Sequence, residues 1–188
     1  MLDSGYDFDA ALAPFDVIVN PGDLSDLFTL GLFTHLNNPI FAPTLSSATL
    51  EVVVDIVGIG DLTFLFDFFH DETPNGDDPC AYGGANGQGA NVNGCADSVT
   101  IGFNALSDTF EIDGLDYTLA ISGFNTGRCS DDSGLVQNFL TVEEQDNSAD
   151  ICAQLALAER VQVPEPGTLA LLGLGLLGMG LARRRVLS

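Results

Sequence analysis

Thr49-Leu-Glu-Val-Val-Val-Asp-Ile56 and Leu62-Thr-Phe-Leu-Phe-Asp-Phe-Phe69 are the two stretches that decide the fold class. In the first, Leu50, Val52, Val54 and Ile56 alternate with Thr49, Glu51, Val53 and Asp55, the period of two of a strand with one buried face. In the second, Leu62, Phe64, Phe66 and Phe68 form the inward face, opposed by Thr63, Leu65, Asp67 and Phe69. Gly58-Ile59-Gly60-Asp61 between them reads as a hairpin turn. Working outward, further strands are expected at 98–104, 109–113, 116–124 and 135–142, with Asp113-Gly114 as a second hairpin signal. The Ala- and Leu-rich stretch 148–159 fits either a short helix or a last strand. Many short strands broken by Gly, Asn and Asp predict an all-β fold, an antiparallel β-sandwich with a jelly-roll-like arrangement over residues 1–160.

The chain has 188 residues, 27 acids, five arginines and no lysine, for a net charge of −22. Setting aside Glu165 and the arginines at 183–185 leaves 26 acids against Arg128 and Arg160, so the part before Pro164 carries about −24. A surface of that sign excludes nucleic acid, whose affinity comes from cationic contacts to phosphate. It keeps a secreted domain soluble and favours divalent cations.

Four cysteines, Cys80, Cys95, Cys129 and Cys152, contain no Cys-x-x-Cys pair, which argues against structural zinc. In a chain that faces outward, an even count reads as two disulfides. Three pairings are possible. Cys80–Cys95 with Cys129–Cys152 is favoured because each closes a sequence-local loop. The first would staple the long irregular stretch between His70 and Asp97.

The C-terminus has a different character. Pro164-Glu165-Pro166-Gly167 is followed by an apolar run, 168–182, with no ionisable residue, and then by Arg183, Arg184 and Arg185. As a helix the run would measure roughly 22 Å, and snorkelling arginines would help it meet a hydrocarbon core of about 30 Å. Glycines at 173, 175, 178 and 180 suit a membrane helix better than a soluble one. The arginine trio places the C-terminus in the cytoplasm and everything before Pro164 outside.

This order of parts resembles a PEP-CTERM sorting signal, over residues 161–188. The resemblance implies a single C-terminal transmembrane sorting helix and cleavage near Pro164, Glu165 and Pro166 by exosortase, a membrane cysteine peptidase. It implies an inner-membrane-anchored precursor whose domain passes to the cell surface or extracellular matrix of an exopolysaccharide-making Gram-negative bacterium. A plain C-terminal anchor is the alternative. Met1-Leu-Asp-Ser-Gly-Tyr offers no basic or apolar leader, so the reading expects the export signal to have been lost from this start.

Thr34-His35-Leu36-Asn37, before Asn38-Pro39, resembles the motif of the THxN family of PEP-CTERM proteins. Locally, the asparagines before Pro39 suit a turn that His35 and Thr34 would brace. A ligand role for His35, together with His70, is the other reading. Asp71, Thr73, Asn75, Gly76 and Asp77 match the first half of an EF-hand loop, but Tyr82 stands where its bidentate Glu belongs. Asp71, Asn75 and Asp77 therefore become candidate Ca²⁺ ligands in another geometry. Neither G-x-S-x-G nor H-E-x-x-H occurs, and abundance of acids does not show which carboxylates meet. No enzymatic activity is expected. The expected role is structural or adhesive in a biofilm matrix, with a Ca²⁺-dependent glycan-binding module as the alternative and a secreted hydrolase as a third reading.

Overall fold

The structure, a computed structural model, describes residues 4–11, 16–40, 43–102, 107–130 and 133–158. The chain divides into two compact units, Met1–Ala158 and Glu159–Ser188. The expected sorting helix, with Pro164, Glu165, Pro166 and Arg183 to Arg185, lies outside the described residues. Among the described residues, no helix is long and apolar enough to cross a membrane.

Among its described residues the first unit is all-β apart from one 3-10 turn, Gly89–Asn91, and every strand pair is antiparallel. Its strands are β1 (Gly5–Ala10), β2 (Phe28–Asn37), β3 (Ser47–Ile56), β4 (Gly60–Asp71), β5 (Asp97–Gly102), β6 (Phe110–Ile112), β7 (Leu115–Asn125), β8 (Asn138–Thr141) and β9 (Gln145–Leu157). One sheet runs β1-β2-β9-β7-β6 and the other β3-β4-β5-β8. Both contribute to one aromatic core. Phe33 of β2 stacks on Phe68 of β4 at 5.2 Å with planes 10° apart, and Phe124 of β7 meets Phe139 of β8 at 5.3 Å. These rings place the two sheets face to face. The strand order is not that of a jelly roll, however. β3-β4-β5 is a simple meander and β6-β7 a hairpin, whereas a jelly roll interleaves two Greek keys.

The decisive hairpin forms as the alternation requires. β3 pairs with β4 from Ser47 opposite Phe69 to Ile56 opposite Gly60. Phe64, Phe66 and Phe68 are buried, while Val53 and Phe69 on the other face are about half exposed. Gly58 and Gly60 take φ of 86° and 110° in the turn, the region that favours glycine.

Residues 148–157 form strand rather than helix. β9 is the centre of its sheet, between β2 and β7. Its inward positions, Asn147, Ala149, Ile151 and Ala153, alternate along the strand. Ala149 stands opposite Phe33 and Ala153 opposite Phe28, so small residues fill the gaps beside large rings. The alanines that suggest a helix are thus packing partners of phenylalanines. Gly31 has a similar cause. A Cβ there would lie 2.5 Å from the Phe8 ring and 2.6 Å from the Asp9 carbonyl, so β1 can approach β2 only at a glycine.

A candidate cation site at one end of the sandwich

β2, β4 and β8 finish, and β5 and β9 begin, at one end of the unit. The Thr34-His35-x-Asn37 motif lies here, on the last residues of β2 instead of in a turn. Strand alternation splits it. Thr34 faces outward and meets the Ser148 hydroxyl at 2.8 Å, while His35 and Asn37 point inward and are buried. His35 Nδ1 lies 2.9 Å from the Thr141 hydroxyl, and the Asn37 amide donates to the Thr141 carbonyl at 3.2 Å. The motif therefore ties one sheet to the other. Burial first, then the nearby His70, push the His35 pKa down to about 4, so this imidazole is neutral at pH 7.

His35 and His70 do come together, with ring centroids 5.0 Å apart. Tyr6 of β1 covers both. Its hydroxyl lies 2.5 Å from His70 Nδ1, and its ring lies 4.9 Å from that of His35. Burial, with Asp97 and Glu72 nearby, raises the Tyr6 pKa, so the phenol stays protonated. The opposite ring nitrogen of His70, Nε2, is 3.2 Å from Glu72 Oε2.

Of the three candidate Ca²⁺ ligands, the structure keeps one near this cluster. Asp71 faces solvent and accepts a hydrogen bond from the Tyr82 hydroxyl at 2.5 Å. Asp77 is exposed, and its carbonyl accepts from the Asn86 amide at 3.0 Å. Asn75 alone turns inward, with Oδ1 buried. The reason is parity: β4 points Phe64, Phe66, Phe68 and His70 inward, so the next inward side chain is Glu72 and not Asp71.

Glu72, Asp97 and His70 offer ligand atoms that all lie within 4.8 Å of one another. Glu143 adjoins Asp97, Asn75 and Glu72 and has no exposed surface. It sits in the three-residue turn between β8 and β9. The Asn147 side chain braces that turn, accepting from Val142 N–H at 2.8 Å and donating to the Val142 carbonyl at 2.9 Å. Glu144 takes φ of 60° there, a conformation few side chains adopt. From the loop side, Thr73 N–H donates to Asp97 Oδ1 at 2.7 Å, and the Asn93 amide donates to the Glu143 carbonyl at 2.9 Å.

The loop is stapled by Cys80–Cys95, and Cys129–Cys152 joins the segment after β7 to β9. Both favoured pairings are present, and there is no free cysteine.

The Asp97 carboxylate opposes the ionisation of its two acidic neighbours. Burial, reinforced by Asp97, pushes the Glu143 pKa up to about 7, although Asn75 favours its charged form. Burial and Asp97 likewise raise that of Glu72. A carboxyl whose pKa is higher folded than unfolded contributes stability that is complete below the ordinary carboxylate range and lost as pH rises through about 7. In EDTA, the melting temperature of the wild type should therefore fall relative to Glu143→Gln between pH 5 and pH 8. A difference that stays constant across that range would mean Glu143 is already ionised at pH 5.

Beyond the described residues, the sequence itself carries the address. Residues 162–185 match the family model described as a PEP-CTERM protein-sorting motif. No curated protein matches the chain. The C-terminal segment carries a PEP-CTERM protein-sorting motif, and that motif indicates an exported protein, made as a membrane-anchored precursor and sorted by exosortase.

Proposed function

We propose that the β-sandwich is a non-catalytic structural or adhesive protein of the cell surface or extracellular matrix of an exopolysaccharide-making Gram-negative bacterium. In this reading exosortase removes the C-terminal segment, and the acidic domain, of the THxN kind, is left outside. The sorting motif at 162–185 is the observation that carries it. Two disulfides support the same compartment, since such bonds persist where thiols are not kept reduced. The two histidines and Tyr6 serve the fold here, bonded to Thr141, Glu72 and each other.

The test is co-sedimentation of the protein recovered from the producing cells with the host's own exopolysaccharide, in Ca²⁺ and again in EDTA. The proposal expects pelleting with the polysaccharide in Ca²⁺. Pelleting that EDTA reverses would point to the calcium-dependent glycan-binding reading. Protein that stays in the supernatant in both buffers would remove exopolysaccharide as a partner.

A further inference from the structure

The buried acids at the end of the sandwich raise a physical question that the proposed function leaves open. Asp97 and Glu143 have no exposed surface. No well-formed hydrogen bond reaches Asp97 Oδ2, the two carboxylate oxygens of Glu143 or the buried Oδ1 of Asn75, although Asn75 and Asp97 lie close enough to Glu143 to act on its ionisation. Ionised carboxylates out of water cost many kcal/mol unless they are paired, take up a proton or bind a cation, and above about pH 7 a cation is the relief that keeps them ionised. Among the described residues, the one basic side chain in an ion pair at this spot is His70, and its partner is Glu72. Four oxygens without a well-formed hydrogen bond, on three side chains, converge here, with Glu72 beside them.

We propose that Glu72, Asn75, Asp97 and Glu143 form a Ca²⁺ site that fixes the 72–97 loop to the β8–β9 turn. The donors left without a well-formed hydrogen bond are all hard oxygens, and Ca²⁺ takes six to eight of these, some in bidentate carboxylate pairs. Main-chain carbonyls or water would complete the shell. Mg²⁺ demands strict octahedral geometry and retains several waters, which a buried pocket of bulky carboxylates does not offer. A softer metal would draw on imidazole, but His70 is held between Tyr6 and Glu72 and serves to orient the Glu72 carboxylate. The ligands come from separate parts of the chain: the end of β4, the loop, the start of β5 and the β8–β9 turn. An ion there crosslinks all four.

Such a site is buried, so its ion stabilises the domain and does not itself touch a glycan. It also fits the compartment, because extracellular modules bind Ca²⁺ with dissociation constants of about 10⁻⁴–10⁻³ M. This inference does not rest on the matrix role. A domain that binds Ca²⁺ but not exopolysaccharide would keep the site and remove exopolysaccharide as a partner.

The experiment uses the protein recovered from cells, stripped with EDTA and dialysed. Thermal melts at pH 7.5 with 5 mM CaCl₂, MgCl₂ or ZnCl₂ are paired with equilibrium dialysis against Ca²⁺. The expected result is one Ca²⁺ per chain and a rise in melting temperature of about 5 °C with Ca²⁺. Glu143→Gln and Asp97→Asn should abolish both, whereas Asp71→Asn and Asp77→Asn should leave both intact. Glu143→Gln removes a buried charge with little change of shape, so its apo form should melt no lower than the apo wild type. No bound Ca²⁺ would overturn the proposal. So would Ca²⁺ binding that survives Glu143→Gln or depends on Asp71 and Asp77. A larger shift with Zn²⁺ than with Ca²⁺ would replace the oxygen site by one built on His70.

Discussion

Phe33→Ala is expected to destabilise the domain by about 3–5 kcal/mol, the largest effect of any single truncation considered for this fold. Phe33 is almost fully buried and stacks on Phe68 of the opposite sheet. It also meets Phe124 at 5.4 Å and Tyr6 at 5.1 Å. Removing it deletes a buried aromatic surface and opens a cavity between two sheets, neither of which can move inward alone. Aromatic pairing adds about 0.5–1.5 kcal/mol beyond the area term. Against a total stability of about 5–15 kcal/mol this is a large share. Phe69→Ala, next to Phe68 but half exposed on the other face, should cost less than about 1 kcal/mol. Denaturant titration with both disulfides intact measures the two. Equal losses would mean that the outer face of β4 is as tightly packed as the core between the sheets.

Replacing Cys129 and Cys152 together by alanine should cost about 3 kcal/mol. The bridge spans 23 residues, and the chain-entropy account puts the stabilisation from such a loop at that level. Both sulfurs are buried, and Cys152 lies on the central strand β9, opposite Gly123 of β7. Serine in these places would add unpartnered hydroxyls, so alanine isolates the loss of the crosslink. The drop in denaturant midpoint, read at unchanged slope, is the measurement. A midpoint that does not move would show that β7 and β9 are already fixed without the bridge.

Much of this fold was legible because the periodicity of β3 and β4 is uninterrupted. β2 was not legible, for a physical reason. The pairing of β2 with β9 shifts between Thr29 and Gly31, so Leu30 is buried on one side of the irregularity and Phe33, His35 and Asn37 on the other. The parity changes within the strand, and a search for strict alternation loses it. The asparagines before Pro39 then suggested a turn, whereas the strand runs through Asn37 first. In β9 the opposite error was open, since its alanines have a helical composition but fill space between rings.

The site divides in the same way. Continuing the inward face of β4 past Phe68 to His70 and Glu72 would have found two of its members, because the strand keeps its period to Asp71. The resemblance to an EF-hand loop points to Asp71, Asn75 and Asp77, and of these only Asn75 turns inward. Glu143 could not have been found from local sequence. Its burial depends on a turn in which Glu144 adopts φ of 60° and Asn147 bonds back to Val142, and neighbouring acids on a short turn usually face water.

The account stands most directly on the fate of the C-terminal segment. Intact mass of the protein recovered from the surface of its producing cells tests this in one measurement. The expected mass lacks Arg183, Arg184 and Arg185 and ends near Pro164 to Pro166, as release at the sorting motif requires. A mass that includes the arginine trio would contradict it and leave the tail a simple membrane anchor.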